Sequence, residues 1–130
     1  MELNQISGKI IEYGIKVHRA LGPGMLESAY EACLFYELQK NGLKVEKQVL
    51  LPIIYDGVKI DAGYRIDLFV ENEVIIELKA VEKLHPIHRA QLLSYLKLSD
   101  KKLGLLMNFN VNRLVDGVRS EEHTSELQSL

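Results

Sequence analysis

The sequence predicts an α/β domain. Two amphipathic helical patterns come first, period-two apolar segments follow, and a third helical pattern separates the last two strands. At 130 residues the chain suits one core rather than two. Its 47% hydrophobic and 26% charged content is ordinary globular usage, which excludes a disordered or fibrous chain.

The elements read in order. Leu3, Ile6, Ile10, Tyr13 and Val17 alternate spacings of three and four, which predicts a helix over about 3–20. Leu21-Gly22-Pro23-Gly24 ends it, because proline cannot continue the ladder and glycine accepts positive φ. A second helix runs from about Leu26 to Lys40, with Leu26, Ala29, Tyr30, Cys33, Leu34 and Leu38 as its apolar face and Asn41-Gly42 as its stop. The period then shortens to that of strands at 45–51, 53–55 and 58–60, the last two joined by an Asp56-Gly57 turn. Two more strands carry Asp67 and Glu77 around a turn at Glu71-Asn72-Glu73. Pro86 suits the first turn of a third helix ending near Lys97, with Ala90, Leu93 and Leu96-Lys97 facing inward. A strand at 103–108 and a short extension at 113–118 complete the domain, expected to span 1–118.

Residues 119–130 fit none of this patterning and resemble the translated sequence of a common short-read sequencing adapter, so they are expected to be a non-native tail. His123 and the Glu121-Glu122 pair are therefore not site candidates.

Several function classes fall away. No apolar run approaches the ~18 residues needed to cross a bilayer. Met1-Glu2-Leu3-Asn4-Gln5 lacks the basic start and apolar stretch of a signal peptide. The single cysteine, Cys33, cannot form an internal disulfide, which suits a reducing cytoplasm, and its neighbours mark it as a small core residue. A net charge of −2 gives no global nucleic-acid footprint. Charge is unevenly spread, however: Lys79, Lys83, Arg89, Lys97, Lys101 and Lys102 outnumber Glu82 and Asp100 over 79–102, with His85 and His88 besides. That stretch is either a solvated helix face or a phosphate-binding surface.

Chemistry concentrates at Gly63-Tyr64-Arg65-Ile66-Asp67 and Val74-Ile75-Ile76-Glu77-Leu78-Lys79-Ala80, which put charge where a buried strand should be apolar. Such groups carry a desolvation cost of several kcal/mol unless paired, and a divalent cation would supply a common partner. Strand alternation puts Glu77 and Lys79 on one face. The face of Asp67 depends on the turn. A two-residue turn pairs Val70 with Glu73 and sends the carboxylates to opposite faces. A three-residue turn, with Asn72 or Glu73 left-handed, pairs Val70 with Val74 and sets Asp67 opposite Glu77. In that register the Cβ atoms stand roughly 5 Å apart, a repulsive pair unless a cation intervenes or one acid is protonated. Two carboxylates and a backbone carbonyl suit Mg²⁺ or Mn²⁺, whereas zinc lacks a Cys/His set at ligand spacing. Lys79 could hold an attacking water or offset phosphate charge, and the parts together describe metal-assisted phosphodiester hydrolysis. The bland alternative is a turn acid at Asp67 with an exposed Glu77/Lys79 pair.

Asp67 followed by Glu77-Leu78-Lys79 on adjacent strands resembles the PD-(D/E)XK nuclease superfamily, although Ile66 stands where the usual motif has proline. Gln91-Leu92-Leu93-Ser94-Tyr95 is similar to the Gln-x-x-x-Tyr element of its exonuclease-like branch. Gly24-Met25-Leu26-Glu27-Ser28-Ala29-Tyr30 resembles the signature of the GxxExxY proteins within that superfamily, and His18 to Gly24 and Gly104 to Phe109 resemble that family's flanking segments.

The resemblance implies a restriction-endonuclease-like core, a central mixed β-sheet flanked by α-helices. With the cytoplasmic setting read from Cys33, the expectation is a Mg²⁺-dependent (or Mn²⁺-dependent) deoxyribonuclease, as the resemblance implies. In it Asp67, Glu77 and the Leu78 carbonyl hold the metal, Glu27 completes the site and Lys79 positions water. Gln91 and Tyr95 contact the lysine or the substrate backbone. Tyr30 is a core residue whose hydroxyl could orient Glu27. The expected partner is nucleic acid, DNA foremost, with a homodimer or protein partner left open. The rival expectation is a non-catalytic nucleic-acid or protein interaction module on the same fold.

Overall fold

A computed structural model describes residues 1–124. Helix α1 (Leu3–Leu21) and helix α2 (Glu27–Lys40) precede strands β1 (Val45–Leu50), β2 (Ile53–Tyr55), β3 (Val58–Ile60), β4 (Arg65–Val70) and β5 (Val74–Lys79). Helix α3 (Pro86–Ser99), strand β6 (Leu103–Asn108), a 3₁₀ turn (Leu114–Gly117) and strand β7 (Val118–Glu122) follow. The main sheet has the order β1-β4-β5-β6-β7, and β2 and β3 form a separate hairpin. Every pair in the main sheet is antiparallel except β5 with β6, which is parallel and joined through α3. The expected mixed α/β architecture is therefore present.

Helices cover both faces, which is why β5 and β6 read as nearly continuous apolar runs. On one face Ile6, Ile10 and Val17 of α1 and Tyr30, Leu34 and Leu38 of α2 pack on Leu68, Ile76, Leu78 and Met107. On the other, Leu92, Tyr95 and Leu96 of α3 pack on Phe69, Ile75 and Leu106.

Three expectations need correction. Leu26 is the residue before α2 and is 76% exposed, because the chain is still extended there and the helical face begins one turn later at Tyr30. Helix α3 is rotated from its expected phase: Leu92, Tyr95 and Leu96 point inward while Ala90 and Lys97 are exposed. Gly104 is the physical reason, since Leu92 lies so close above it that any Cβ there would collide with its side chain. Finally, residues 119–122 lie in β7, paired with β6 from Leu103–Glu122 to Met107–Val118, and Arg89 of α3 bridges Glu121 at 2.7 Å. Their alternation was not legible as a strand because this edge strand is exposed along most of its length. The remainder of the expected tail, 125–130, lies outside the described residues.

No helix among the described residues is long and apolar enough to cross a membrane.

Candidate active site

The turn between β4 and β5 has three residues, Glu71, Asn72 and Glu73, so Val70 pairs with Val74 and Leu68 with Ile76. Asn72, one of the two residues expected to be left-handed, has φ 55°, and Glu71, which was not expected to be, has φ 53°. Glu71 is held there from outside the turn: its N–H donates to the Lys44 carbonyl and its carboxylate accepts from the Lys44 N–H, at 2.8 and 3.0 Å. This register sets Asp67 opposite Glu77.

Pairing of the two strands ends at Leu68–Ile76, and the carboxylates take over from the ladder. The Asp67 N–H donates to Glu77 Oε2 at 2.9 Å, and the Leu78 N–H donates to Asp67 Oδ2 at 2.8 Å. Each acid thus satisfies a backbone donor of the opposite strand, which accounts for their tolerance in a buried sheet. Charge is still disfavoured. Burial, reinforced by the adjacent Asp67 charge, pushes the Glu77 carboxyl up to about 8, against the pull of the Asp67 amide and Lys79. The Asp67 carboxyl is also raised by burial, opposed by the Leu78 amide, Gln48 and Lys79.

Three further side chains converge on this seam. Glu27, at the start of α2, has its carboxyl raised by desolvation and by Asp67 and Glu31, while Lys79 opposes the rise. Glu31 follows one turn later on the same helix face. Between them and Asp67 stands Gln48 of β1. Its amide donates to Glu31 Oε1 and Oε2 at 3.0 and 3.1 Å and reaches Asp67 Oδ1 at 3.4 Å. Gln48 has φ 51° although both flanking residues pair normally with β4, through Lys47–Leu68 and Val49–Ile66. A left-handed non-glycine residue inside a strand stores on the order of 1 kcal/mol, and such strain gathers at functional sites. The sequence reading did not include Gln48 or Glu31. The spacing of Glu27 and Glu31 was an available signal; nothing in the sequence marks Gln48 as left-handed.

Lys79 ends β5, half-buried, within electrostatic reach of all three candidate acids, yet it forms no direct ion pair with them among the described residues. On α3, Gln91 donates to the Tyr95 hydroxyl at 3.2 Å. The Tyr95 phenol is raised by burial and then by the Glu77 charge, which sets this pair beside the seam. Tyr30 does not orient Glu27. Its hydroxyl donates to the Gly22 carbonyl at 2.5 Å and accepts from the Met25 N–H at 3.1 Å, so it ties down the loop before α2. His85 and His88 cap α3, the His85 N–H donating to His88 Nδ1 at 3.0 Å. His18 is buried against the Val111 carbonyl, at 2.8 Å.

The donor chemistry at the seam fits a hard divalent cation. Every candidate ligand is oxygen, and carboxylates raised by desolvation, Glu77 also by the Asp67 charge, are stabilised by a positive neighbour. Among the described residues no three Asp, Glu, His or Cys side chains gather tightly enough to hold a metal on their own. Bound water and backbone oxygen would therefore complete the coordination, as is usual for Mg²⁺.

The comparisons bear on this arrangement. No curated protein and no solved structure matches the chain significantly. A family profile described as the PD-(D/E)XK nuclease superfamily matches residues 4–120, a span that runs from the first turn of α1 into β7 and takes in every residue of the seam. With its mixed sheet, its two helical layers and a profile match over nearly its whole length, the chain belongs to the PD-(D/E)XK nuclease superfamily.

Proposed function

We propose that this protein is a metal-dependent nuclease that hydrolyses phosphodiester bonds in DNA at the Asp67/Glu77/Lys79 seam. The observation that carries this reading is the pair of crossed hydrogen bonds at the end of the β4–β5 ladder, Asp67 N–H to the Glu77 carboxyl and Leu78 N–H to the Asp67 carboxylate, with the Glu77 carboxyl raised to about 8. Asp67, Glu77 and the Leu78 carbonyl would hold Mg²⁺ or Mn²⁺, with Glu27 of α2 reaching the site through bound water. When bound, such a cation polarises the scissile phosphate and lowers the pKa of water. Lys79 donates to the attacking water or to a phosphate oxygen, offsetting charge that develops there. Gln91 and Tyr95 form a hydrogen-bonded pair that contacts the substrate backbone. Within the superfamily, the spacing of Gly24, Glu27 and Tyr30 supports a position among the GxxExxY proteins.

The test is cleavage of duplex, single-stranded and branched DNA in Mg²⁺ or Mn²⁺ by purified protein and by its Asp67→Ala and Lys79→Ala variants. Metal-dependent cleavage lost in both variants, with unchanged circular dichroism, is expected. Retained cleavage in Asp67→Ala overturns the assignment of the site. Salt-sensitive DNA binding without turnover would instead describe an interaction module.

A further inference from the structure

A groove of about 640 Å³ opens between α3 and the chain around the β2–β3 hairpin, with Ile53, Tyr64, Ile87, Gln91, Tyr95 and Leu98 among its walls. That size is typical of a site for a small organic group. Its surface is largely apolar and aromatic, and Tyr64 meets Tyr95 edge-on with ring centroids 5.9 Å apart. Ser94 and Lys97, both exposed, add a hydroxyl and a cation. The groove lies beside the seam, because Gln91 and Tyr95 line it and the Tyr95 phenol senses the Glu77 charge.

Two facts select an occupant. A net charge of −2 leaves the chain poorly equipped to hold a duplex through many phosphate contacts, which supply most sequence-independent affinity. A duplex also turns sugars and phosphates outward and keeps its base faces stacked, so it offers nothing to an apolar, tyrosine-lined wall. An unpaired base offers a π-face for stacking and polar edges for groups such as Gln91 and Ser94. Lys97 complements the adjoining phosphate. We propose that this groove receives an unpaired nucleobase next to the scissile phosphate, which makes single-stranded or frayed nucleic acid the preferred substrate class. This rests on the nuclease reading and names the substrate of the same site.

Tyr64 and Ile87 are 40% and 69% exposed, so shortening them removes groove wall; Tyr64→Ala also gives up the edge contact with Tyr95, which Tyr64→Phe keeps. The experiment is fluorescence anisotropy in EDTA at one fixed salt concentration, with a labelled single strand and a blunt duplex of equal length. The full chain is compared with its Tyr64→Ala, Tyr64→Phe and Ile87→Ala variants. Tighter binding of the single strand by the unaltered protein is expected, weakened roughly ten-fold by Tyr64→Ala, as for loss of one stacked base. Binding is restored by Tyr64→Phe, and the duplex signal does not change. Should Tyr64→Ala fail to fold, a selective loss of single-strand binding in Ile87→Ala supports the same conclusion. Equal affinity for both DNAs, or unchanged single-strand binding in the folded variants, overturns it. So does a sedimenting dimer that Tyr64→Ala dissociates, which would assign the groove to a second copy. EDTA separates the two readings, since absence of cleavage in Mg²⁺ would remove the nuclease assignment while leaving the binding comparison legible.

Discussion

Asn108 and Glu77 are both buried polar residues near the same end of the sheet, on neighbouring strands, and they are treated in opposite ways. Asn108 is 2% exposed; its side chain accepts from the Val81 and Asn110 N–H groups and donates to the Val81 carbonyl, at 3.0 to 3.2 Å. Glu77 is 5% exposed, receives one backbone hydrogen bond, and faces a second carboxylate. The first is a closed network whose members are all satisfied, so it fastens the turn after β5 to β6. The second is an open one, held by the fold in a state its own electrostatics disfavour. Burial of a polar group alone therefore does not signal chemistry; burial with unresolved charge does.

Substitutions should separate the two. The largest effect is expected for Glu77→Gln, which keeps a hydrogen-bond acceptor for the Asp67 N–H but removes the anion. Cleavage should fall more than about 100-fold, since even outer partners of a metal ligand cost roughly 10- to 100-fold. Denaturant unfolding at pH 8 should show a protein at least as stable as the original. A Glu77→Gln protein with full activity would break the comparison. Asn108→Ala should do the reverse in stability, costing about 3 kcal/mol because the Val81 and Asn110 donors and the Val81 acceptor lose their partner. Urea midpoints at constant slope provide the check.

A pH series without divalent metal sharpens the contrast. Glu77 has its folded-state pKa raised from 4.5 to about 8, so the folded protein binds the extra proton in that interval. Its contribution is fully present below pH 4.5 and is lost as pH rises toward 8. Stability should decline across the window, with a slope from this group of at most about 1.4 kcal/mol per pH unit, and Glu77→Gln should flatten the decline. A rise in stability through the same window, unaltered by the substitution, would contradict the electrostatic account of the seam.

The smallest effect belongs to Gln48. Gln48→Gly relieves a left-handed backbone and should stabilise the protein by about 1 kcal/mol, while loss of the amide between Glu31 and Asp67 lowers activity roughly 10-fold. Gln48→Ala should lower activity similarly without the gain in stability. Thermal midpoints and initial rates on the two variants distinguish strain from contact.

Much of this was legible from residues alone. Periodicity located all three helices and strands 103–108 and 58–60 because those segments either carry one apolar stripe or lie wholly buried or bounded by a clear turn. The register at Asp67 reduced to two alternatives, and the structure takes the three-residue turn. What failed to show depended on distant partners. The phase of α3 follows from the bare backbone at Gly104, β7 is an exposed edge with no apolar rhythm, and Gln48 becomes special only when Glu31 and Asp67 are brought to it. Tyr30 was rightly placed in the core, but its hydroxyl serves the Gly22–Met25 loop, a contact that no helical spacing announces.

The three-residue turn from Glu71 to Glu73 has an implication for how the site can be lost. Deleting or inserting one residue there, four residues along the strand from each acid, would reverse the facing of Asp67 while leaving every side chain of the seam in the sequence. A homologue could thus carry a complete set of acids and the lysine and still be inert. Loop length, counted between the two acids, is then a better criterion than residue identity for deciding which relatives retain a working centre.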